Sequence, residues 1–179
     1  PRLETERLWL RPFTLADAPQ VQRLVGAPEI AATTLNIPHP YPEDAAEEWI
    51  LSHQPRFVEG TFVHFAITLK PDDQLVGAIG LHLEPEHRRA EMGYWAGKPY
   101  WGQGYTTEAA RTVLAYGFGK LGLNRIYAEH FSSNPASGRV MQKIGMVYEG
   151  ELREHVLKGE NFQSLKVYGI LREDWVSQE

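Results

Sequence analysis

One stretch constrains this chain more than any other: Lys98-Pro99-Tyr100-Trp101-Gly102-Gln103-Gly104-Tyr105-Thr106-Thr107-Glu108-Ala109-Ala110. A strand-like run at 91–96 leads into it, and a long apolar-periodic segment leads out. Two glycines, an amide and two hydroxyls lie between. Glycine lets the backbone approach a ligand closely and adopt φ values that other residues avoid. A helix starting directly afterwards presents unpaired N–H groups and the positive end of its dipole. Together these predict an anion cradle, most often for phosphate. An ordinary strand-to-helix turn carries the same short glycine pattern, so the stretch alone leaves both readings open.

The 179 residues suffice for one domain, spanning 1–179, with a substantial core. The net charge is −5 and no basic run occurs, so no nucleic-acid footprint is expected. The absence of cysteine excludes disulfides, thiolate zinc sites and a cysteine nucleophile. The seven histidines are scattered without metal-ligand spacing, so no metal site is expected. No apolar stretch approaches the roughly 18 residues of a membrane helix, and Pro1-Arg2-Leu3-Glu4 does not read as a signal peptide. The expectation is a soluble, cytoplasmic protein without a membrane partner.

Taken in order, 7–11 alternates polar and apolar residues and reads as a strand limited by Pro12. Thr14 and Asp17 resemble a capping pair before a helix at 16–25. Residues 26–41 read as irregular, with Pro28, Pro38 and Pro40, and hold Asn36, His39 and Tyr41. Pro42 starts a second helix, with Ala45, Trp49 and Phe57 facing inward. Strands at 62–69, 75–83 and 89–96, joined by short turns, predict an antiparallel meander. A helix at 106–121 connects to a strand at 125–131, which should lie parallel to the third meander strand through a right-handed crossover. A helix follows from Asn134 to near Gly145, then a hairpin of 147–156 and 163–171 across Lys158-Gly159-Glu160-Asn161. This order predicts an α+β, mixed α/β fold with a mostly antiparallel sheet of about seven strands and about four helices.

The glycine cradle and Asn134-Pro135-Ala136-Ser137-Gly138-Arg139-Val140-Met141-Gln142-Lys143-Ile144-Gly145-Met146 are the two parts that meet after adjacent parallel strands. With Thr5-Glu6-Arg7-Leu8-Trp9-Leu10-Arg11-Pro12, Glu91-Met92-Gly93-Tyr94-Trp95 and Tyr168-Gly169-Ile170-Leu171-Arg172-Glu173-Asp174-Trp175, they make the chain resemble the GNAT acyl-CoA N-acyltransferases. It is most similar to the RimJ/RimL-type ribosomal-protein N-terminal acetyltransferases. The cradle departs from the family's pattern: Trp101 stands at the first place and Thr106 at the last. The ligand groups are mainly backbone N–H, which any side chain preserves.

The resemblance implies a sheet split between the strands at 91–96 and 125–131, with the pantetheine of acetyl-CoA lying in the opening. It would pair with backbone near Tyr94, Trp95 and Ala96. The pyrophosphate would rest on Gly102, Gln103, Gly104, Tyr105, Thr106 and Thr107. Asn134, Ser137, Arg139 and Lys143 would complete the cofactor side. The implied reaction is direct transfer to a primary amine in a ternary complex. The acceptor by resemblance is a protein N-terminal α-amine; small amines, amino acids, antibiotics and lysine side chains remain open, as does succinyl-CoA as donor. A homodimer is compatible with the resemblance.

An ammonium must lose a proton before attack, so a general base is needed. Glu91 is the first candidate, with Glu129, His130, Glu151 and His155 as alternatives; a structural carboxylate is an equal reading of Glu91. Many family members place a proton-donating Tyr where this chain has Met141. Ser137, three residues after Asn134, is the donor that the RimJ/RimL-type pattern implies, or else a first-turn serine bonding backbone N–H groups. His39 and Tyr41 are candidates for the acceptor mouth. Trp49, Trp95, Trp101 and Tyr105 read as core or cofactor packing. Two other classes stay in view: a non-catalytic CoA-binding module, and a plain nucleotide-binding βαβ domain, for which the further glycine and ribose-binding acid are missing.

Overall fold

The computed structural model describes residues 1–177. Eight strands form one sheet in the order β1-β2-β3-β4-β5-β6-β8-β7. They are β1 (Leu3–Glu4), β2 (Leu8–Arg11), β3 (Phe62–Leu69), β4 (Gln74–Glu84), β5 (Arg89–Ala96), β6 (Arg125–Phe131), β7 (Val147–Lys158) and β8 (Asn161–Leu171). Every pairing is antiparallel except β5 with β6. The mixed α/β architecture, the meander and the parallel crossover stand as the sequence predicts. The eighth strand is β1, two residues long and too short to carry an alternation signal.

The helices are α1 (Ala18–Val25), α2 (Pro28–Thr33), α3 (Ala45–Leu51), α4 (His53–Glu59), α5 (Tyr105–Gly119), α6 (Pro135–Lys143) and α7 (Arg172–Val176). The capping pair ahead of α1 is half realised: the Asp17 carboxylate accepts from Thr14 N–H at 2.8 Å and is gripped by Arg11 at 2.8 and 2.9 Å. Four features depart from expectation. The irregular stretch contains α2, whose six residues show less than two turns of periodicity. The helix after Pro42 breaks at Ser52 into α3 and α4, and Ala46 and Ile50 are its buried residues. Phe57, expected to face inward, is exposed, while Ala45 and Trp49 are half-buried. A short helix, α7, also follows β8, where no helix was expected.

Two apolar clusters cover the sheet's two faces. Val63, Phe65, Ile67, Ile79 and Leu81 pack with Ala110, Val113, Leu114 and Phe118 of α5 and Met141 of α6. Ala66 and Ala78, with the opposite parity on the same strands, and Leu75, brought to this face by the register shift between Ile67 and Thr68, pack with Val21 and Leu24 of α1, Ile30 of α2 and Ile50 of α3. Alternate side chains of a strand point to opposite faces, so β3 and β4 serve both layers and read as nearly continuous apolar runs.

The feature that positions the site is the fork in the sheet. β5 and β6 pair only over Arg89↔Arg125, Ala90↔Ile126 and Glu91↔Tyr127. Beyond Glu91 the strands separate, although β5 continues to Ala96. Its outer backbone groups past the fork are therefore left without a strand partner on that side. Among the described residues no helix is long and apolar enough to cross a membrane.

Candidate active site

The cradle forms where β5 meets α5. Gly102 and Gly104 have φ of +77° and +80°, and Gly104 is the N-cap of α5. An L-residue in that left-handed region costs about 1–2 kcal/mol, which explains the glycines. The cradle is also pinned from a distance. Arg7 donates through Nη1 to the Gln103 carbonyl at 3.0 Å and through Nε to Glu108 Oε1 at 2.7 Å, and lies over the Tyr105 ring. Glu108 Oε2 accepts from Thr5 Oγ1 and from Arg7 N–H at 3.0 Å. Glu108 sits in the first turn of α5, where the dipole favours a carboxylate. Sequence reasoning missed this Thr5–Arg7–Glu108 clamp. Its parts lie a hundred residues apart, and only the shared opening motif hinted at it.

A cavity of about 420 Å³ runs from the cradle along β5. Gly102, Gly104, Tyr105, Thr106 and Thr107 line it at one end. Asn134, Ser137, Arg139 and Lys143 line it from α6, and Tyr94, Trp95 and Ala96 from β5. Gln103 alone of the expected cofactor residues is not on this lining, its carbonyl being turned to Arg7. The Ala96 carbonyl is not free either, since Trp101 Nε1 donates to it at 2.8 Å. The side chain that replaces the family's polar residue thus occupies one backbone acceptor of β5. The Asn134 amide makes no bond to the first-turn N–H groups of α6, which leaves it available to a ligand. Unpaired N–H groups, an unpaired strand edge, a free amide and two cations suit a long thiol ester bearing phosphates.

Ser137 and Tyr94 meet across this cavity. The Tyr94 phenol donates to the Ser137 carbonyl at 3.1 Å and shares a second bond with Ser137 Oγ at 2.9 Å. Burial pushes the Tyr94 phenol up to about 12, against the Ser137 bond, so it stays protonated. Met141 is 1% exposed and belongs to the core, which rules it out as a ligand contact.

A second cavity of about 330 Å³ lies beyond the fork. Thr33, Thr34, Tyr94, Trp95 and Ser137 line both cavities, so the two meet at the phenol–hydroxyl pair. Lys158 of β7 donates to the carbonyls of Ala31 and Thr34, holding the end of α2 over this junction. Glu91, the last paired residue of β5, lines the second cavity with Glu129. Burial, then the charges of Glu129 and Glu84, push the Glu91 carboxyl up to about 7. Glu84 is occupied, accepting from Arg89 at 2.7 Å and Tyr127 at 3.1 Å. The Glu91 carboxylate accepts no hydrogen bond from the described residues.

The other base candidates separate on geometry. His130 lines the second cavity, but its Nδ1 donates to the Phe131 carbonyl at 2.7 Å. A Cβ on Gly138 would stand 2.7 Å from its Nε2, so that nitrogen faces the backbone of α6 rather than the cavity. Glu151 and His155 line a separate shallow hollow on β7, and Glu151 accepts from Ser132 at 2.7 Å. His39 is exposed and Tyr41 packs on the α1–α3 core, so neither lines the second cavity; Asn36 and Ile37 of the same loop do. Trp49 and Trp95 line the second cavity, and Trp101 and Tyr105 the first.

Residues 7–147 match the model of the acetyltransferase (GNAT) domain. An uncharacterised N-acetyltransferase, YoaA, of Bacillus subtilis (strain 168) is 32% identical over 96% of this chain and 97% of its own length. The ribosomal-protein-serine acetyltransferase of Escherichia coli (strain K12) is 26% identical over 54% of this chain and 55% of its own. The crystal structure of a GNAT-family acetyltransferase from Bacillus anthracis superposes with a TM-score of 0.87 at 27% identity, covering 97% of this chain and 99% of that one. With its forked sheet, its glycine cradle and a family match over most of its length, the chain belongs to the GNAT acetyltransferase family.

Proposed function

We propose that this N-acetyltransferase transfers the acetyl group of acetyl-CoA directly to a protein N-terminal α-amine, with Glu91 as base and Ser137 as acid. The observation that carries the reading is the meeting of the two cavities at Ser137 and Tyr94, with Glu91 at the fork between them. The first cavity holds the thioester donor, with phosphates against the α5 N-terminus. The second admits the amine.

A carboxyl held near neutrality is suited to taking a proton from an ammonium and releasing it again. Glu91 accepts that proton, and the free amine attacks the thioester carbonyl. An N–H of β5 beyond the fork stabilises the oxygen's developing charge. The C–N bond forms as the C–S bond breaks, and the departing sulfur takes a proton from Ser137 Oγ. Tyr94, hydrogen-bonded to that oxygen and protonated throughout, holds the hydroxyl in place. The second proton shed by the nitrogen as the amide forms goes to solvent, from which Ser137 is reprotonated, and Glu91 releases its own proton before the next turnover. No covalent acyl-enzyme is required, in keeping with the absence of cysteine.

A purely structural carboxylate would have partners, and a non-catalytic CoA-binding module has no use for one that is half-buried beside like charges. Glu91 has no partner among the described residues, which favours the enzyme. A protein acceptor is supported by the name of the Escherichia coli relative, a ribosomal-protein-serine acetyltransferase. The test follows thiol release from acetyl-CoA with peptides carrying a free or a blocked N-terminus. Release with free peptides only is expected. Release with polyamines or lysine side chains and none with free N-termini overturns the acceptor.

A further inference from the structure

The second cavity has a floor that its sequence explains. On the α1–α3 face of the sheet, cross-strand partners form three rows: Ala66–Ala78–Trp95, His64–Gly80–Gly93 and Phe62–His82–Glu91. The middle row carries two glycines side by side, which leaves a hollow between a tryptophan row and a glutamate row. Gly80 is overlaid by the Phe62 ring, since a Cβ there would meet Phe62 Cε1 at 2.7 Å. At Gly93 a Cβ would meet nothing within 4 Å, so the hollow is open above it.

The walls of this hollow are aromatic. His64 stacks between Phe62 and His53, with ring centroids 4.0 and 3.7 Å apart. Trp49 stands edge-on to His64 at 5.7 Å and 6.4 Å from Trp95. Burial holds both imidazoles far below neutrality, His53 down to about 4 and His64 down to about 3, so the wall is uncharged. The charge lies one row away: Glu91, about 7 Å along β5 from Gly93, with Glu129 across the fork.

From this arrangement, and resting on the function proposed above, we infer that the acceptor is a primary amine with a flat apolar group close to its nitrogen. The ring lies over Gly93 between Trp95 and Phe62, and the ammonium faces Glu91 and Glu129. An N-terminal aromatic residue meets this description, and so does a free arylalkylamine. A polyamine does not, because its second ammonium would lose its hydration against a neutral aromatic wall.

The experiment compares kcat/KM for acetyl-CoA-dependent thiol release with peptides beginning Phe, Trp, Ser and Ala, with phenethylamine and with spermidine. Burying an aromatic side chain contributes about 1.5–3 kcal/mol, so the Phe and Trp peptides should exceed the Ser and Ala peptides by tenfold or more. Phenethylamine reacting as well as the Phe peptide assigns the pocket to free amines, and failing to react assigns it to chain termini. Preference for spermidine or for the Ser peptide overturns the inference. Gly93→Val fills the hollow from an open strand position outside the cofactor cavity. It should abolish the aromatic preference while calorimetry shows unchanged CoA binding, and a preference that survives the substitution also overturns the inference. If no amine is acetylated, phenethylamine binding to the CoA-loaded protein is measured. Binding that Gly93→Val removes retains the pocket and rejects the catalytic reading; no binding rejects the pocket.

Discussion

Replacing Glu91 with Gln should make the protein more stable at alkaline pH and less active. The folded state raises this carboxyl from 4.5 to about 7, chiefly by burial and then by the charges of Glu129 and Glu84. Between those two pH values the folded chain holds a proton that the unfolded chain has released. Stability therefore falls as pH rises through that window and is level above it. Glu91 is only half-buried, so solvent screening keeps the full loss at or below about 3 kcal/mol. Gln keeps the shape, carries no charge and breaks no hydrogen bond among the described residues. Denaturant titrations at pH 4.5 and pH 8 should show the difference between variant and wild type growing with pH, to about 3 kcal/mol at most. In melting temperature that is about 6–12 °C at pH 8 for a chain of this size. In the same variant kcat/KM should lose its rise through pH 7. A Gln variant no more stable than wild type at pH 8 refutes the account of Glu91 as half-buried, unpartnered and repelled. Increased stability with an unchanged pH–rate profile keeps that account and removes Glu91 from catalysis.

Ser137→Ala should lower kcat by about 10²–10⁴-fold with CoA affinity within a few-fold of wild type, and an unchanged kcat excludes Ser137 as the acid. Tyr94→Phe removes the phenol that touches Ser137 Oγ at 2.9 Å; it should lower kcat less than Ser137→Ala, and an equal or larger loss makes Tyr94 the donor. Gly104→Ala forces a side chain into φ +80° at the N-cap of α5, costing about 1–2 kcal/mol and weakening CoA binding in calorimetry. If affinity and melting temperature both hold, the cradle tolerates a left-handed Ala and the glycine is dispensable. Leu10→Ala empties a site that is 0% exposed and should cost about 2–5 kcal/mol in urea unfolding; a loss under 1 kcal/mol would show that β2 is not part of the central core.

The fold was legible because its signals are local. Alternation fixed most strands, and β5 and β6 fall on the residues expected, Arg89–Ala96 and Arg125–Phe131. Glycine, proline and polar caps marked the ends of α5 and α6. Two short pieces were not legible, since β1 and α2 are too brief for a period to appear; the break at Ser52 did have a signal in Pro55, which has no N–H for the Leu51 carbonyl and whose ring clashes with it. The cofactor side was read residue by residue from motifs, and the structure gathers all of those residues except Gln103 around one cavity.

What the sequence by itself determined was the order of elements, the cradle and the pair Asn134–Ser137, because each rests on neighbours along the chain. The tertiary structure alone decided three things. It brought Arg7 to Glu108 and the cradle across a hundred residues of sequence. It set Glu91 beside Glu129 and Glu84 at the fork, where burial and repulsion lift its carboxyl to about 7. And it placed Gly80 and Gly93 in one cross-strand row beneath four aromatic rings. Charge state and cavity shape depend on which strands lie side by side and in what register. That is fixed by the packing of the whole sheet, and no local stretch of sequence carries it.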